Sequence, residues 1–254
     1  MNNIHAAGHI MSEFGFDSDA SKMRVVPEGV GNVFKSGELA PNSEVPKHIE
    51  QLSDGSDIAV IGDGEGFSGY LHQQGQNAQE FEGDCGLVSV EQIVRYTGEE
   101  TDETTVVQRA IDNGLCAITD NPESSGGTTV QDQVRMLESF GIPAHADIDI
   151  TLEGLAKKVE AGDGVIAEVN AGVLWNDPGS YEGGRANHAI VVTDVVKNPY
   201  DAKILGFHIN DSGSGEAHRF VDAVTMKEAY LGGGWFKHLG CSVATDKPLT
   251  ARIA

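Results

Sequence analysis

The hydrophobic period changes partway along this chain, and that change restricts the possible fold more than any other feature. Leu87, Val88, Val90, Ile93 and Val94 recur at helical spacing behind Asp84 and Cys85, and Thr97-Gly98 stops the pattern. A second helix is expected over 102–112, with Thr101 or Asp102 as N-cap and Asn113-Gly114 as the stop. A third follows Gly126-Gly127, capped by Thr128 or Thr129, with Val130, Val134, Leu137 and Phe140 as its apolar stripe. Beyond Gly141-Ile142-Pro143 the spacing predicts a strand near 145–150 and a fourth helix over 151–161, closed by Gly162. From there β-branched runs dominate: strands are expected over 164–171, 187–196, 203–209 and 219–224, then a helix over 225–231 and a strand near 239–243. Helices first and strands later, without regular βαβ alternation, describe an α+β fold. In it an N-terminal helical half packs on a mostly antiparallel sheet.

The stretch before this pattern differs in kind. Residues 1–56 are polar, with scattered apolar positions and Pro27, Pro41 and Pro46 interrupting any helix. They read as a partly ordered N-terminal arm or linker, which leaves 57–254 as the globular domain. That domain opens with a short strand over 57–61 and a turn-rich GDGEGFSG segment. With 17 basic against 39 acidic side chains the chain carries a formal charge of −22. Such a surface repels phosphate backbones and anionic headgroups, so nucleic acid and membrane surfaces are poor partners. A basic protein surface suits it better. No apolar run approaches a membrane span, and the first residues lack the basic and apolar regions of a signal peptide.

The 3 cysteines, Cys85, Cys116 and Cys241, are too few and too scattered for a disulfide framework, and they fit a reducing compartment. Cys116 and Cys241 read as core. Cys85 sits at an expected helix start, where unpaired N–H groups and the helix dipole favour a thiolate. Gly86 leaves space beside it, which a substrate backbone could use. Gln79, six residues upstream, offers an amide donor for an oxyanion, with Gln73, Gln74 and Gln76 competing for that role. His188 opens the strand NHAIVVTDV, and Asp211 follows ILGFHIN, placed to orient an imidazole; Asn210 could do the same. Nucleophile, base and orienter in that order form a complete nucleophilic set. Asp84 reads either as a plain helix N-cap or as a residue that positions the loop.

These residues resemble a family. Gln79-Glu-Phe-Glu-Gly-Asp84-Cys85-Gly86-Leu-Val-Ser89 is similar to the active-site segment of papain-like cysteine peptidases, nearest the bacterial branch of double-glycine leader peptidases of bacteriocin exporters. That branch has Gln, five intervening residues, Asp-Cys-Gly, and a small residue where Ser89 stands. Gly127-Thr128-Thr129, the segment 152–169, His188 with its Ala-Ile-Val-Val, and Asp211 follow in matching order, so the resemblance spans roughly residues 57–243. It departs at Ser212, where the branch continues into Pro, and at Val88 and Ser89, where papain has an aromatic and a second cysteine. Members of that branch are also fused to an exporter, which the chain does not carry.

The resemblance implies a papain-like cysteine endopeptidase that cuts a protein substrate through an acyl-thioester and needs no metal or organic cofactor. Cys85 is then nucleophile, His188 base, Asp211 orienter and Gln79 oxyanion donor. As a setting it suggests a bacterial toxin or effector domain, secreted or delivered by a secretion system into a recipient's reducing cytoplasm, with a cognate inhibitor (immunity) protein guarding the producer. The alternatives are a deamidase, transglutaminase or other amidase on the same residues, or an inactive papain-like binding module.

Other signals are weak. Asp17, Asp19, Ser21 and Glu28 imitate a calcium loop, but Lys22 stands where glycine is required. Gly62-x-Gly64-x-Gly66 lacks the helix and acid of a dinucleotide site. His5 and His9 lack a third ligand. Trp175 and Trp235 read as packing residues or cleft walls.

Overall fold

The structure is a computed structural model, and it describes residues 24–25, 45–149, 151–232 and 239–249. The calcium-loop mimic, the His5/His9 pair, Trp235 and Ile150 lie outside the described residues. Strands are β1 (Arg24–Val25), β2 (Lys47–Gln51), β3 (Asp57–Gly62), β4 (Ala144–Asp149), β5 (Val165–Val169), β6 (His188–Lys197), β7 (Ile204–Asp211), β8 (Glu216–Asp222) and β9 (Gly240–Thr245). Helices are α1 (Gly64–Ser68), α2 (Cys85–Tyr96), α3 (Glu103–Asn113), α4 (Val130–Ser139), α5 (Leu152–Ala161), α6 (Ala171–Leu174) and α7 (Ala223–Leu231).

Helix ends follow the local chemistry. Asp102 accepts the Thr105 N–H at the start of α3, and Gly114 closes that helix at φ +64°. Thr129 and Asp132 form a reciprocal capping box on α4. Thr151 caps α5, and Gly162 ends it in the left-handed region.

Every strand pairing is antiparallel. The order β4–β9–β5–β6–β7–β8 forms one continuous sheet, and β6 is its spine. One edge of β6 pairs first with β5 through residues 188–192 and then with β3 through 194–197, so the sheet forks there into β3, β2 and β1. Residues 47–51, assigned to the arm from their polarity, therefore form a strand in register with β3.

Helices cover both faces of the sheet. On one, α2, α3 and α4 bury Leu87, Ile93, Val106 and Leu137 against Ile166, Ala189, Val191 and Val243. On the other, α5 and α7 bury Leu155, Met226 and Tyr230 against Val165, Ile190, Val192 and Phe207. A strand covered on both faces reads as an unbroken apolar run, as Ala189 to Val192 does. The expected α+β class with a mostly antiparallel sheet holds, with the addition that α5, α6 and α7 occupy a second layer.

Local differences have local causes. The run expected over 164–171 ends at Val169 because Asn170 caps α6 by accepting the Val173 N–H. Asp222 accepts from the Val224 and Thr225 N–H groups, so α7 begins earlier than its apolar pattern suggests. The GDGEGFSG segment is not all turn: Asp63 caps the short α1, and Phe67 stacks on Tyr96 with ring centroids 4.0 Å apart. No helix among the described residues is long and apolar enough to cross a membrane.

Candidate active site

Cys85 is the first residue of α2 and is half-buried. Gly86 beside it is packed rather than open. A Cβ there would lie 2.2 Å from Thr128 Oγ1 and 2.7 Å from Gln133 Nε2, so the space that a substrate backbone was expected to use is already taken. Gln133 Nε2 donates to Glu168 Oε1 (2.6 Å) and Thr128 Oγ1 (3.2 Å), a polar strut between α4 and β5 that seats the start of α2. Burial raises the Glu168 carboxyl above its usual range.

His188 opens β6 and is almost wholly buried. Its Nε2 lies 2.7 Å from Asp211 Oδ1 at the end of β7. That leaves Nδ1 as the nitrogen not engaged by Asp211, and Cys85 is near enough to act on the ring's charge. Burial alone would push the imidazole down, but the Asp211 and Cys85 partners outweigh it and lift the value to about 10. Burial would likewise raise Asp211, yet its bonds to His188 and Trp175 hold it down at about 2. Both shifts describe an imidazolium–carboxylate pair at neutral pH.

Asp211 is held on several sides. The Gly213 N–H (3.0 Å) and Ser214 N–H (3.3 Å) donate to Oδ1, and Trp175 Nε1 donates to Oδ2 at 2.7 Å. Trp175 also covers the histidine, with ring centroids 5.1 Å apart. A Cβ on Gly213 would meet the Trp175 ring at 2.6 Å, so glycine lets the turn pass beneath the indole. Asn210, the alternative orienter, is engaged elsewhere: its Nδ2 donates to Phe67 O and to Gln92 Oε1 of α2.

The loop before Cys85 is anchored by carboxyl groups. The Asp84 side chain makes no cap bond and turns inward, where Oδ2 accepts from Asn77 Nδ2 at 3.1 Å. Its Oδ1 has no donor, and burial together with the neighbouring Glu103 pushes Asp84 up to about 8. A proton on Asp84 shared with Glu103 satisfies both. Glu103 is buried too, but His72, Asp84 and Asn77 hold it down at about 2. It also accepts the Gly75 and Gln76 N–H groups at 2.8 and 2.9 Å, fixing the glutamine loop.

The structure thus brings Cys85, His188 and Asp211 together, and it gives the glutamines separate settings. Gln79 Nε2 donates to Gln108 Oε1 on α3 (2.9 Å), and its side chain makes no hydrogen bond to the trio. Gln74 bridges Ser212 and the Glu82 carbonyl. Gln76 Nε2 donates to the Gln73 carbonyl. Gln73 is exposed, and its Cβ lies 3.6 Å from where a Cβ on Gly215 would stand, beside the Asp211 turn. Cys116 packs at the margin of the first core, whereas Cys241 Sγ lies 3.8 Å from the Leu239 carbonyl. Burial raises both thiols above the ordinary value. Sequence reasoning gave no specific role to Trp175 or to the Asp84–Glu103 pair. A buried tryptophan with a free N–H needs an acceptor, but only coordinates identify it as Asp211.

No family model and no curated protein matches the chain. Among solved structures it is similar to a double glycine motif protease from an AMS/PCAT transporter in complex with the leader peptide, at 15% identity and TM-score 0.42, covering 69% of this chain and 89% of that one. A structure described as a C39-like peptidase from Bacillus anthracis is 16% identical with TM-score 0.48, covering 71% of this chain and 95% of that one.

Proposed function

We propose that this chain is a papain-like cysteine endopeptidase. The observation that carries the reading is a helix-start cysteine beside a buried imidazole whose Nε2 is fixed by Asp211. Cys85 is the nucleophile beside the His188 imidazolium, and its sulfur attacks the scissile carbonyl. The Cys85 backbone N–H and an amide from the glutamine loop hold the oxyanion. The imidazolium then protonates the leaving amine, and water, deprotonated by the same ring, hydrolyses the thioester. Asp211 keeps the ring oriented, and Trp175 shields the Asp211–His188 bond from solvent. No step calls on a metal or an organic cofactor.

The setting that suits such a chain is a bacterial toxin or effector domain, delivered by a secretion system to work in a recipient's reducing cytoplasm. Free cysteines and an acidic surface support that reading. The substrate is then a recipient protein, and a cognate inhibitor would protect the producer.

The test is alkylation of the native protein with iodoacetamide across pH 5 to 9, each cysteine quantified by mass spectrometry, with His188→Ala in parallel. Rapid reaction of Cys85 alone at pH 6, lost in His188→Ala, is expected. An inert Cys85 overturns the enzyme reading and leaves a binding module. Incubation with a recipient proteome then separates the chemistries: scission creates new N-termini, whereas deamidation adds about one mass unit without a cut.

A further inference from the structure

Away from the Cys85 cleft, three ligand-type side chains from consecutive strands converge. Asp194 stands on β6, His208 on β7 and His218 on β8, and one ligand atom from each lies within 4.8 Å of the others. Asp194 Oδ2 is 3.3 Å from His208 Nδ1 and 2.9 Å from His218 Nε2. Bonds of about 2.0–2.1 Å to a tetrahedral ion put neighbouring ligand atoms roughly 3.3 Å apart, so this spacing needs little adjustment.

The His218 contact is a hydrogen bond in its own right, and several further features favour a site for an ion here. His208 is buried, and its Nδ1 has no hydrogen-bond partner although it points at Asp194. An orphaned buried ring nitrogen is costly unless something binds it. His218 adopts φ +51°, a left-handed backbone uncommon for histidine, and such strain gathers where side chains must be aimed. The β6–β7 register slips between Val192 and Asp194, and the β7–β8 register slips between Ile209 and Asp211. Bulges of this kind re-aim side chains. Gly64 lies against the ligand atoms: a Cβ there would stand 2.0 Å from Asp194 Oδ2 and 2.5 Å from His218 Nε2.

The supporting contacts suit an ion as well. The Gly64 N–H donates to Asp194 Oδ1 (2.9 Å), which orients Oδ2 toward the histidines. Thr193 Oγ1 lies 3.2 Å from Asp194 Oδ2, and the His218 N–H donates to Asn210 Oδ1 at 2.9 Å. Ligands are ordinarily fixed by such second partners.

We propose that Asp194 Oδ2, His208 Nδ1 and His218 Nε2 bind one first-row divalent transition-metal ion. Two imidazoles and a single carboxylate suit Zn2+ and its neighbours and do not suit Ca2+ or Mg2+, which prefer all-oxygen shells. The partly exposed His218 leaves the fourth position to water. The ion ties β6, β7 and β8 together, and two of those strands carry His188 and Asp211 at the cleft. Its role is to brace, with no step of the chemistry passing through it.

The experiment uses the full untagged chain carrying Cys85→Ala, so that the cleft thiol cannot compete, stripped with chelator and titrated with Zn2+ and Co2+. One ion per chain, a raised Tm, and the visible d–d bands of four-coordinate Co2+ without a thiolate charge-transfer band are expected. Adding His218→Gln, or separately His208→Gln, weakens Zn2+ binding at least about tenfold. Far-UV circular dichroism of each stripped variant checks that the fold is kept. Failure to take up Zn2+ at micromolar concentration overturns the proposal. So does a thiolate band, which would place the ion on Cys116 or Cys241, or Zn2+ affinity unchanged from the parent chain in both histidine variants. The Co2+ spectrum decides even if a variant misfolds.

Discussion

At the scale of single residues, His188 and Asp211 set each other's protonation, and the consequences run in opposite directions along the pH axis. The imidazole is raised to about 10, so the stability it contributes is complete below its ordinary value near 6.5 and is lost as pH climbs through 10. Asp211 is depressed to about 2, so its contribution is present above the usual carboxylate range and lost as pH falls through 2. Asp211→Asn removes the charge that holds the proton on the ring. The alkaline limb of the kcat/KM profile is expected to move down from about 10 toward 6.5, with kcat falling about 10²-fold or more. An unmoved limb would mean that the pair does not govern catalysis. Trp175→Phe keeps a ring over His188 but deletes the Nε1–Oδ2 bond, and about a tenfold loss in kcat is expected, because hydrogen bonds to charged groups contribute about 1.5–3 kcal/mol. The glutamines make a third test. Gln79 is engaged with Gln108, whereas Gln73 borders the Asp211 turn, so Gln73→Ala is expected to reduce kcat more than Gln79→Ala, by about 10²-fold for a true oxyanion donor. The reverse order would support Gln79, the residue favoured by its spacing from Cys85.

At the scale of elements, α2 carries the nucleophile because both its ends and its buried face are specified, though only part of that specification is visible in sequence. The apolar positions Leu87 to Val94 and the stop at Thr97 are legible, since helical period and capping chemistry are local. Glu91 and Gln92, which a polarity scale places outside, are buried instead, Gln92 receiving the Asn210 amide and Glu91 pairing with Arg95. Arg95 is one turn along the same helix and readable, but the other partners that make this burial tolerable, His72 for Glu91 and Asn210 for Gln92, lie outside any short window of sequence. The same holds for Asp84, whose N-cap position is readable but whose pairing with Glu103 across α3 is not. That pairing has a measurable sign. The folded Asp84 carboxyl keeps its proton up to about 8, while in the unfolded chain it ionises near 4, so folding loses ground as pH rises between those values. Asp84→Asn supplies a permanent N–H donor to Glu103 and cancels this slope. Urea midpoints at pH 5 and pH 8 are expected to fall further in the unmodified chain than in Asp84→Asn. Equal changes would show that no proton is shared there.

At the scale of the whole molecule, the sheet fork at β6 draws residues before 57 into the sheet through β3 and β2. Strand-forming runs in the second half are legible because both faces of the sheet are covered and the runs are accordingly apolar, as in β5, β6 and β7. The strand β2 is not legible for the complementary reason. Its sequence Lys-His-Ile-Glu-Gln alternates weakly, and its place is fixed by the β3 ladder rather than by a hydrophobic face of its own. Polarity alone therefore sends residues 47–51 into the arm, although they pair one for one with residues 57–61. The Gly62 N–H also reaches back to the Pro46 carbonyl at 3.0 Å, and Val45 is buried. Two truncations separate an arm that ends at residue 56 from one that ends before Val45. A chain starting at residue 45 keeps β2 and is expected to hold a Tm within a few degrees of the full chain. A chain starting at residue 57 leaves β3, with Ile58 and Val60, as a bare edge with unpaired N–H and C=O groups. Such an edge recruits other chains, so a lower Tm and concentration-dependent aggregation are expected for this second form. Light scattering and a thermal melt on both forms check this. If the shorter chain is as stable and monomeric as the longer one, β2 contributes nothing to the fold and the boundary belongs at residue 57.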